Sequence, residues 1–371
     1  MSANLLKIGV LRETMKGERR VALTPADVKR LSSRAIIFVE KSAGVNAAFS
    51  DDAYVEAGAE ISSLEDMIGK ANILVKIRQP EFPENFSVGS IVISLGGRDP
   101  NLAEAMKKKG VIYLGLERLP RITRAQSMDV LSSQAAIAGY EAVLEGARTL
   151  DILLPMLTTA AGTIRPAKMI ALGAGVAGLQ AIATARRLGA ITHGFDVREA
   201  AREQVESLGA KFVFPDVELP SAEGAGGYAA SQSADQQSRL RRALAEYLIP
   251  MQLIITSAQI PGQKAPLLID TEAVALMQYG TVIVDLAAET GGNCELTRPD
   301  EIVVTENGVR VLGPTNISSD AATDASRFFS VNVRSLLEHL ISNEGLLQLD
   351  SEDPITSALL AGQTLPVQKV V

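Results

Sequence analysis

Short apolar runs alternate with amphipathic stretches along most of the chain. Runs at 6–11, 36–40, 72–77, 91–95 and 111–114 are strand-length and predict buried strands. Between them, 51–58 and a lysine-rich stretch at 101–109 read as helices. Thr24 suits a helix N-cap, with Pro25 at the first helical position and Asp27 in the first turn. The pattern changes at 117–130, which is polar, and then runs into a long helix from about 131 to 149. A second alternation follows. Strands are predicted at 169–172, up to Asp196, and at 211–214, 253–256 and 281–285, with helices at 179–188, 199–208, 239–247 and 271–278. A hairpin at 303–311 precedes a last helix, about 325–342, that returns to the first half. Residues 350–371 read as a tail of low information content. Strands alternating with helices in this way predict parallel α/β sheets.

The second half is organised by one stretch. Lys168 opens a strand, and Gly173, Gly175 and Gly178 follow in G-x-G-x-x-G spacing before a helix. Each glycine has a job. Gly173 permits the tight turn, Gly175 lets a pyrophosphate reach the backbone, and Gly178 lets helix pack on strand. The helix N-terminus, with Val176 and Ala177, presents N–H groups to the phosphates. Asp196 stands near the ~20-residue offset at which an acid accepts both ribose hydroxyls. A carboxylate there repels a 2′-phosphate, so NAD(H) is expected over NADP(H). Val197, Arg198, Ala258 and Glu289 are assigned to the same cofactor site. The predicted fold class is α/β: two Rossmann-like doubly wound parallel-sheet domains, joined by long linking helices, with a cleft between them. Residues 1–130 plus 325–371 form the first domain, which lacks a glycine fingerprint of its own, and 131–324 the second.

Residues 215–238 are rich in Gly, Ala, Ser and Gln and too long for an ordinary connection. They read as a surface insertion or as a lid, mobile over about 217–238, in which Tyr228, beside Gly227, touches ligand.

Composition narrows the classes. The chain has 371 residues, 47% hydrophobic and 21% charged, as in an ordinary globular protein of about two domains. A net charge of −7 argues against nucleic acid and anionic lipid surfaces. One cysteine, Cys294, excludes an internal disulfide and fits a reducing cytosol. With only His193 and His339 beside it, no His/Cys metal site is expected. Neither a signal peptide nor a transmembrane segment is read, so any work at a membrane needs another protein to hold the chain there.

Four segments carry a family resemblance: R-A-Q-S-M-D-V-L-S-S-Q (124–134), T-T-A-A-G-T-I-R-P-A (158–167), the glycine stretch 173–190, and E-T-G-G-N-C (289–294). Together they resemble the NAD(H)-binding first domain of proton-translocating NAD(P) transhydrogenase, over nearly the whole chain. R-A-Q-S-M-D is the most specific of them. The resemblance implies a homodimer that binds NAD(H). It also implies direct hydride transfer to NADP(H) on a partner component, coupled to proton movement through a membrane-spanning subunit. The chain would then be cytoplasmic, held at the inner face of the cytoplasmic membrane by those partners. By position, the resemblance assigns Arg121, Gln126, Asp129 and Ser132 to the surroundings of the nicotinamide and its ribose. Tyr140 is placed near them, and Tyr228 matches the mobile-loop tyrosine. The insertion departs from the family in lacking a Met-containing segment.

A rival resemblance is to alanine dehydrogenase, which shares R-V-A-L-T-P and the glycine pattern. Arg20 and Lys76 could bind a substrate carboxylate. The segment where that enzyme has its histidine reads I-V-I-S-L-G-G-R-D-P, and His193 and His339 read as structural or exposed. Glu289 alone is insufficient for acid/base work. A non-catalytic NAD-binding regulator is the third reading.

Overall fold

The computed structural model describes residues 5–215, 234–260 and 262–363. In chain order the first elements are β1 (Leu6–Val10), α1 (Pro25–Leu31), β2 (Ala35–Glu40), α2 (Asp51–Glu56), β3 (Glu60–Ser62), α3 (Leu64–Lys70), β4 (Ile73–Val75), β5 (Ile91–Ser94), α4 (Pro100–Lys109), β6 (Ile112–Gly115) and α5 (Val130–Thr149). There follow β7 (Leu157–Thr159), β8 (Gly162–Ile164), β9 (Lys168–Leu172), α6 (Val176–Arg187), β10 (Ile191–Phe195), α7 (Ala201–Ser207), β11 (Lys211–Phe212) and α8 (Ala234–Leu248). The last are β12 (Leu253–Thr256), α9 (Thr271–Ala275), β13 (Val282–Asp285), β14 (Ile302–Val304), β15 (Arg310–Leu312), α10 (Ala322–Leu340) and α11 (Pro354–Leu359). The chain divides into two units, Met1–Gln134 with Ser319–Val371, and Ala135–Ser318.

The first unit is built on a sheet ordered β3-β2-β1-β4-β5-β6, parallel throughout. Its central strands are apolar on both faces because both faces are covered. Ile8, Val10, Ile37, Val39, Ile73 and Val75 pack with Phe329, Val333, Leu336 and Leu337 of α10. Phe38, Leu74 and Val92 meet Met67 and Met106 on the other side. Beside its apolar stripe, α10 carries polar residues that hold a loop. Ser326 Oγ accepts from the Val21 N–H at 3.0 Å and Ser330 Oγ from that of Thr24 at 2.9 Å, while Arg334 Nε donates to Asp27 at 2.7 Å. Thr24 stands at the N-cap of α1 as expected, but its side chain does not cap; its hydroxyl bonds Ser330 instead.

The tail corrects the expectation of low content. Asp353 caps α11 by accepting from the Thr356 N–H at 2.9 Å, and Ile355, Leu359 and Leu360 are buried in the first unit's core. Gln363 then accepts from the Tyr113 N–H at 2.8 Å on β6, so the tail covers an edge strand. A six-residue helix is too short to show periodicity in sequence.

In the second unit the sheet order is β11-β10-β9-β12-β13-β15-β14, parallel except for the edge pair β14–β15. The order reverses between β9 and β12, and such a switch point opens a ligand crevice at the carboxyl ends of the strands. A separate hairpin, β7–β8, has all of its residues exposed. Gly227 and Tyr228 lie outside the described residues, as does the insertion up to Ala234, where α8 begins ahead of its predicted start. Among the described residues no helix is long and apolar enough to cross a membrane.

Candidate functional site

The glycine turn follows β9 at the switch point. Gly173 has φ of +98°, a left-handed conformation that costs glycine nothing. A Cβ on Gly178 would stand 1.8 Å from the Gly173 carbonyl oxygen, so only glycine lets α6 approach β9 this closely. Gly175 differs: nothing lies within 4 Å of where its Cβ would be. Gly175 is also the N-cap of α6 and has no side chain to satisfy the first-turn N–H groups. Open space in front of uncapped N–H groups fits the pyrophosphate of a dinucleotide. Val176 is exposed and Ala177 half-buried in that first turn.

Asp196 follows β10, beside the turn. One of its carboxylate oxygens accepts from the Ala174 N–H at 2.8 Å, tying acid to turn. Arg198 supplies the rest: its N–H and Nε reach the other oxygen at 2.9 Å each, and Nη2 reaches the first at 2.8 Å. Val197 packs against the core beneath. The sequence put Arg198 at the site but not its grip on the acid.

Ser257 and Ala258 follow β12, across the switch point. Ser257 Oγ donates to the Gly173 carbonyl at 3.2 Å. Both polar groups of Ala258's backbone are held by Asn293: its N–H donates to Oδ1 at 3.0 Å, and its carbonyl accepts from Nδ2 at 2.8 Å. Asn293 is in turn placed by Asp285, which is fully buried. Its carboxylate accepts from the N–H groups of Ala287, Asn293 and Cys294 and from the hydroxyls of Thr256 and Thr297. The E-T-G-G-N-C segment is therefore a loop folded around a buried anion. Glu289 is exposed on it. Ser257, Asn293 and Asp285 were missed in sequence, because nothing in the T-S-A or N-C spacing marks them. Gly139, also missed, lets α5 pass α6: a Cβ there would be 2.1 Å from the Ala177 carbonyl oxygen. Its neighbour Tyr140 is exposed.

In the first unit, residues Thr123–Met128 form a 3-10 turn leading into α5. Ala125 and Met128 are buried, and Arg121 and Gln126 are exposed. Asp129 precedes α5, and its carboxylate accepts from the Ser132 N–H at 3.0 Å and hydroxyl at 2.6 Å. That is the bonding of an N-cap, so the two residues the resemblance placed together are joined, whatever else they do.

Arg20 is not available to a substrate. It is 3% exposed, Nε and Nη2 go to the two Glu18 oxygens at 2.7 and 2.6 Å, and Nη1 goes to Gln134 at 2.7 Å. Lys76 Nζ bonds Thr14. Neither histidine is placed for acid/base work: His193 sits against the Met169 carbonyl, with burial pushing its pKa down, and His339 bonds Asp353 at 2.9 Å.

These features define a class: a doubly wound α/β chain with a dinucleotide-type glycine turn at its switch point. The chain belongs to the alanine dehydrogenase/PNT family, whose N-terminal domain model matches residues 9–138 and C-terminal domain model residues 142–365. It is 42% identical over 365 residues to the first of the two alpha-subunit polypeptides of NAD(P) transhydrogenase from Rhodospirillum rubrum, covering 95% of each chain. Alanine dehydrogenase of Bacillus subtilis is 28% identical over 368 residues, covering 96% of this chain and 90% of that one. The crystal structure of transhydrogenase from Sinorhizobium meliloti matches with a TM-score of 0.85 at 38% identity, covering 95% of this chain and 97% of that one.

Proposed function

We propose that this chain is the NAD(H)-binding component of a proton-translocating NAD(P) transhydrogenase. The observation that carries the reading is the open glycine turn, in a chain 42% identical along nearly its whole length to a transhydrogenase subunit. NADH supplies a hydride, which passes with its electron pair to NADP+ held on a partner subunit. Such transfer needs no general acid or base in this chain; it needs orientation and exclusion of water. The reading assigns Gly173, Gly175, Val176, Ala177 and Gly178 to the pyrophosphate, and Asp196, with Val197 and Arg198, to the adenosine ribose. Ala258, Glu289, Tyr140, Gly227 and Tyr228 complete the cofactor contacts. Gln126, with Arg121, Asp129 and Ser132, orients the nicotinamide. An amide and a capped carboxylate can hold a carboxamide and a ribose without taking a proton. Partners are a second copy of this chain, the NADP(H)-binding component and a membrane-spanning proton-conducting subunit that keeps the chain at the cytoplasmic face.

The engagement of Arg20 by Glu18 weighs against an alanine dehydrogenase activity, which needs a cation for the substrate carboxylate. The test mixes the chain with NADH and the NADP(H)-binding component and follows reduction of a nicotinamide analogue. Hydride transfer supports the proposal. Alanine-dependent NAD+ reduction without it would overturn the proposal, and NADH binding with neither activity would make the chain a regulator.

A further inference from the structure

Asn332 of α10 lies 205 positions from Ser127 in sequence and bonds it directly: Nδ2 donates to the Ser127 carbonyl at 2.7 Å. The same side chain's Oδ1 accepts from the Ser133 hydroxyl at 2.6 Å. Asn332 is 8% exposed. One buried amide therefore clasps both ends of the segment that carries Gln126, Asp129 and Ser132, the first end inside the 3-10 turn and the second in the first turn of α5. Next along the chain, Gln134 Nε2 donates to the Ala325 carbonyl of α10 at 3.0 Å, and its Oε1 accepts from Arg20. On the outer side Arg124 bonds Asp353, the cap of α11.

A 3-10 turn has poorer internal hydrogen bonds than an α-helix, so its shape depends on what holds it from outside. Here the outside hold on its main chain is a side-chain amide, which can satisfy a carbonyl and a hydroxyl together because it is donor and acceptor at once. An apolar residue of similar size would fill the space and leave the Ser127 carbonyl without that partner.

We propose that Asn332 is a positioning residue for hydride transfer: it fixes the turn that presents Gln126, and so sets the orientation of the nicotinamide without touching it. This rests on the assignment of Gln126 to that ring. Nothing in the last helix announces the role, since Asn332 sits between apolar Val331 and Val333 in R-F-F-S-V-N-V-R.

The experiment compares Asn332→Ala, Asn332→Asp, Ser133→Ala and Gln126→Asn in the complex with the NADP(H)-binding component. It measures NADH affinity by titration, transfer rate at saturating NADH, and thermal midpoint. Asn332→Asp keeps the acceptor for Ser133 but has no donor for the Ser127 carbonyl. The expected result is a transfer rate lowered ~10-fold or more in Asn332→Ala and Asn332→Asp, with NADH affinity within about twofold of native, because a small misplacement costs rate before binding. A purely structural role would lower the midpoint and leave the rate of the folded protein unchanged. If Asn332→Ala does not fold, Ser133→Ala opens the other end of the clasp and is expected to show the same split in smaller measure. Native transfer in the Asn332 and Ser133 variants beside slow Gln126→Asn overturns the positioning role and leaves the site assignment standing. Native transfer in Gln126→Asn as well overturns both.

Discussion

Arg198 grips the carboxylate of Asp196 edge-on, and with the Ala174 N–H it occupies both oxygens twice over. A ribose hydroxyl can reach Asp196 only by displacing one of these donors, and the guanidinium, on a flexible stem, is the one able to leave. NADH binding at this acid is thus an exchange of partners. Asp196→Asn replaces a charged acceptor with a neutral one, and hydrogen bonds to charged groups contribute about 1.5–3 kcal/mol. NADH affinity, read by fluorescence titration, is expected to fall ~10-fold or more. NADPH affinity should fall less or rise, since the carboxylate repels a 2′-phosphate. An unchanged NADH titration would remove Asp196 from the ribose.

The glycines of the turn separate fold from binding. Gly178→Ala sets a Cβ against backbone, which cannot rotate away, so the thermal midpoint is expected to drop by several degrees, consistent with an overpacking cost of about 1–3 kcal/mol. Gly175→Ala meets open space at φ of −80°, which any residue adopts. Its midpoint should match the native chain while NADH affinity falls at least ~10-fold, because the new methyl occupies the pyrophosphate's approach. Native NADH affinity in Gly175→Ala would mean that no phosphate comes there.

How much of this was legible depended on whether a signal is local. The glycine turn, its strand and helix, and Asp196 lie within one stretch, and each has a steric reason to be what it is. The parallel sheets were legible because strands buried on both faces read as short apolar runs. Elements shorter than one period were not: β3, the β7–β8 hairpin and α11 showed no pattern. Partners distant in sequence were equally hidden. Asn332 and Ser127, Asn293 and Ala258, and Gln363 and Tyr113 meet only when the chain is folded. Gln126, Asp129 and Ser132 were found through resemblance alone. The fold accounts for Asp129 and Ser132 as a helix cap and does not by itself distinguish that from a nucleotide contact.

Cys294 is buried beside Asp285, and burial pushes its thiol up to about 12. The thiolate is the reactive form, so the folded chain should be inert to thiol reagents near neutral pH. Native protein mixed with an aromatic disulfide reagent is expected to release no chromophore over minutes, and denatured protein one equivalent. Prompt reaction of the native chain would mean that the loop around Asp285 opens.

Glu18 and Glu13 predict pH effects of opposite sign. Both lose solvation on burial, which raises a carboxyl. For Glu18 the bonds and charge of Arg20, with Arg78, outweigh it and bring the pKa from 4.5 to about 2. For Glu13 burial outweighs Lys76 and the Ile77 N–H, and the pKa rises from 4.5 to about 7. The folded state therefore gains from Glu18 above pH 4.5 and loses that gain as pH falls toward 2. From Glu13 it gains below pH 4.5, and that gain is lost as pH rises toward 7. Glu18→Gln strands Arg20 in the core, and breaking a buried pair costs about 3–5 kcal/mol. Its midpoint should lie well below native near neutral pH, with the gap closing in acid. Glu13→Gln removes the ionisation penalty, so its midpoint should exceed the native one at mildly alkaline pH and meet it near pH 4.5. Thermal melts of the three proteins across that range decide both: parallel curves for Glu13→Gln and native would show that Glu13 does not titrate in the folded chain, and a Glu18→Gln gap that persists in acid would show that Arg20 is held by other groups.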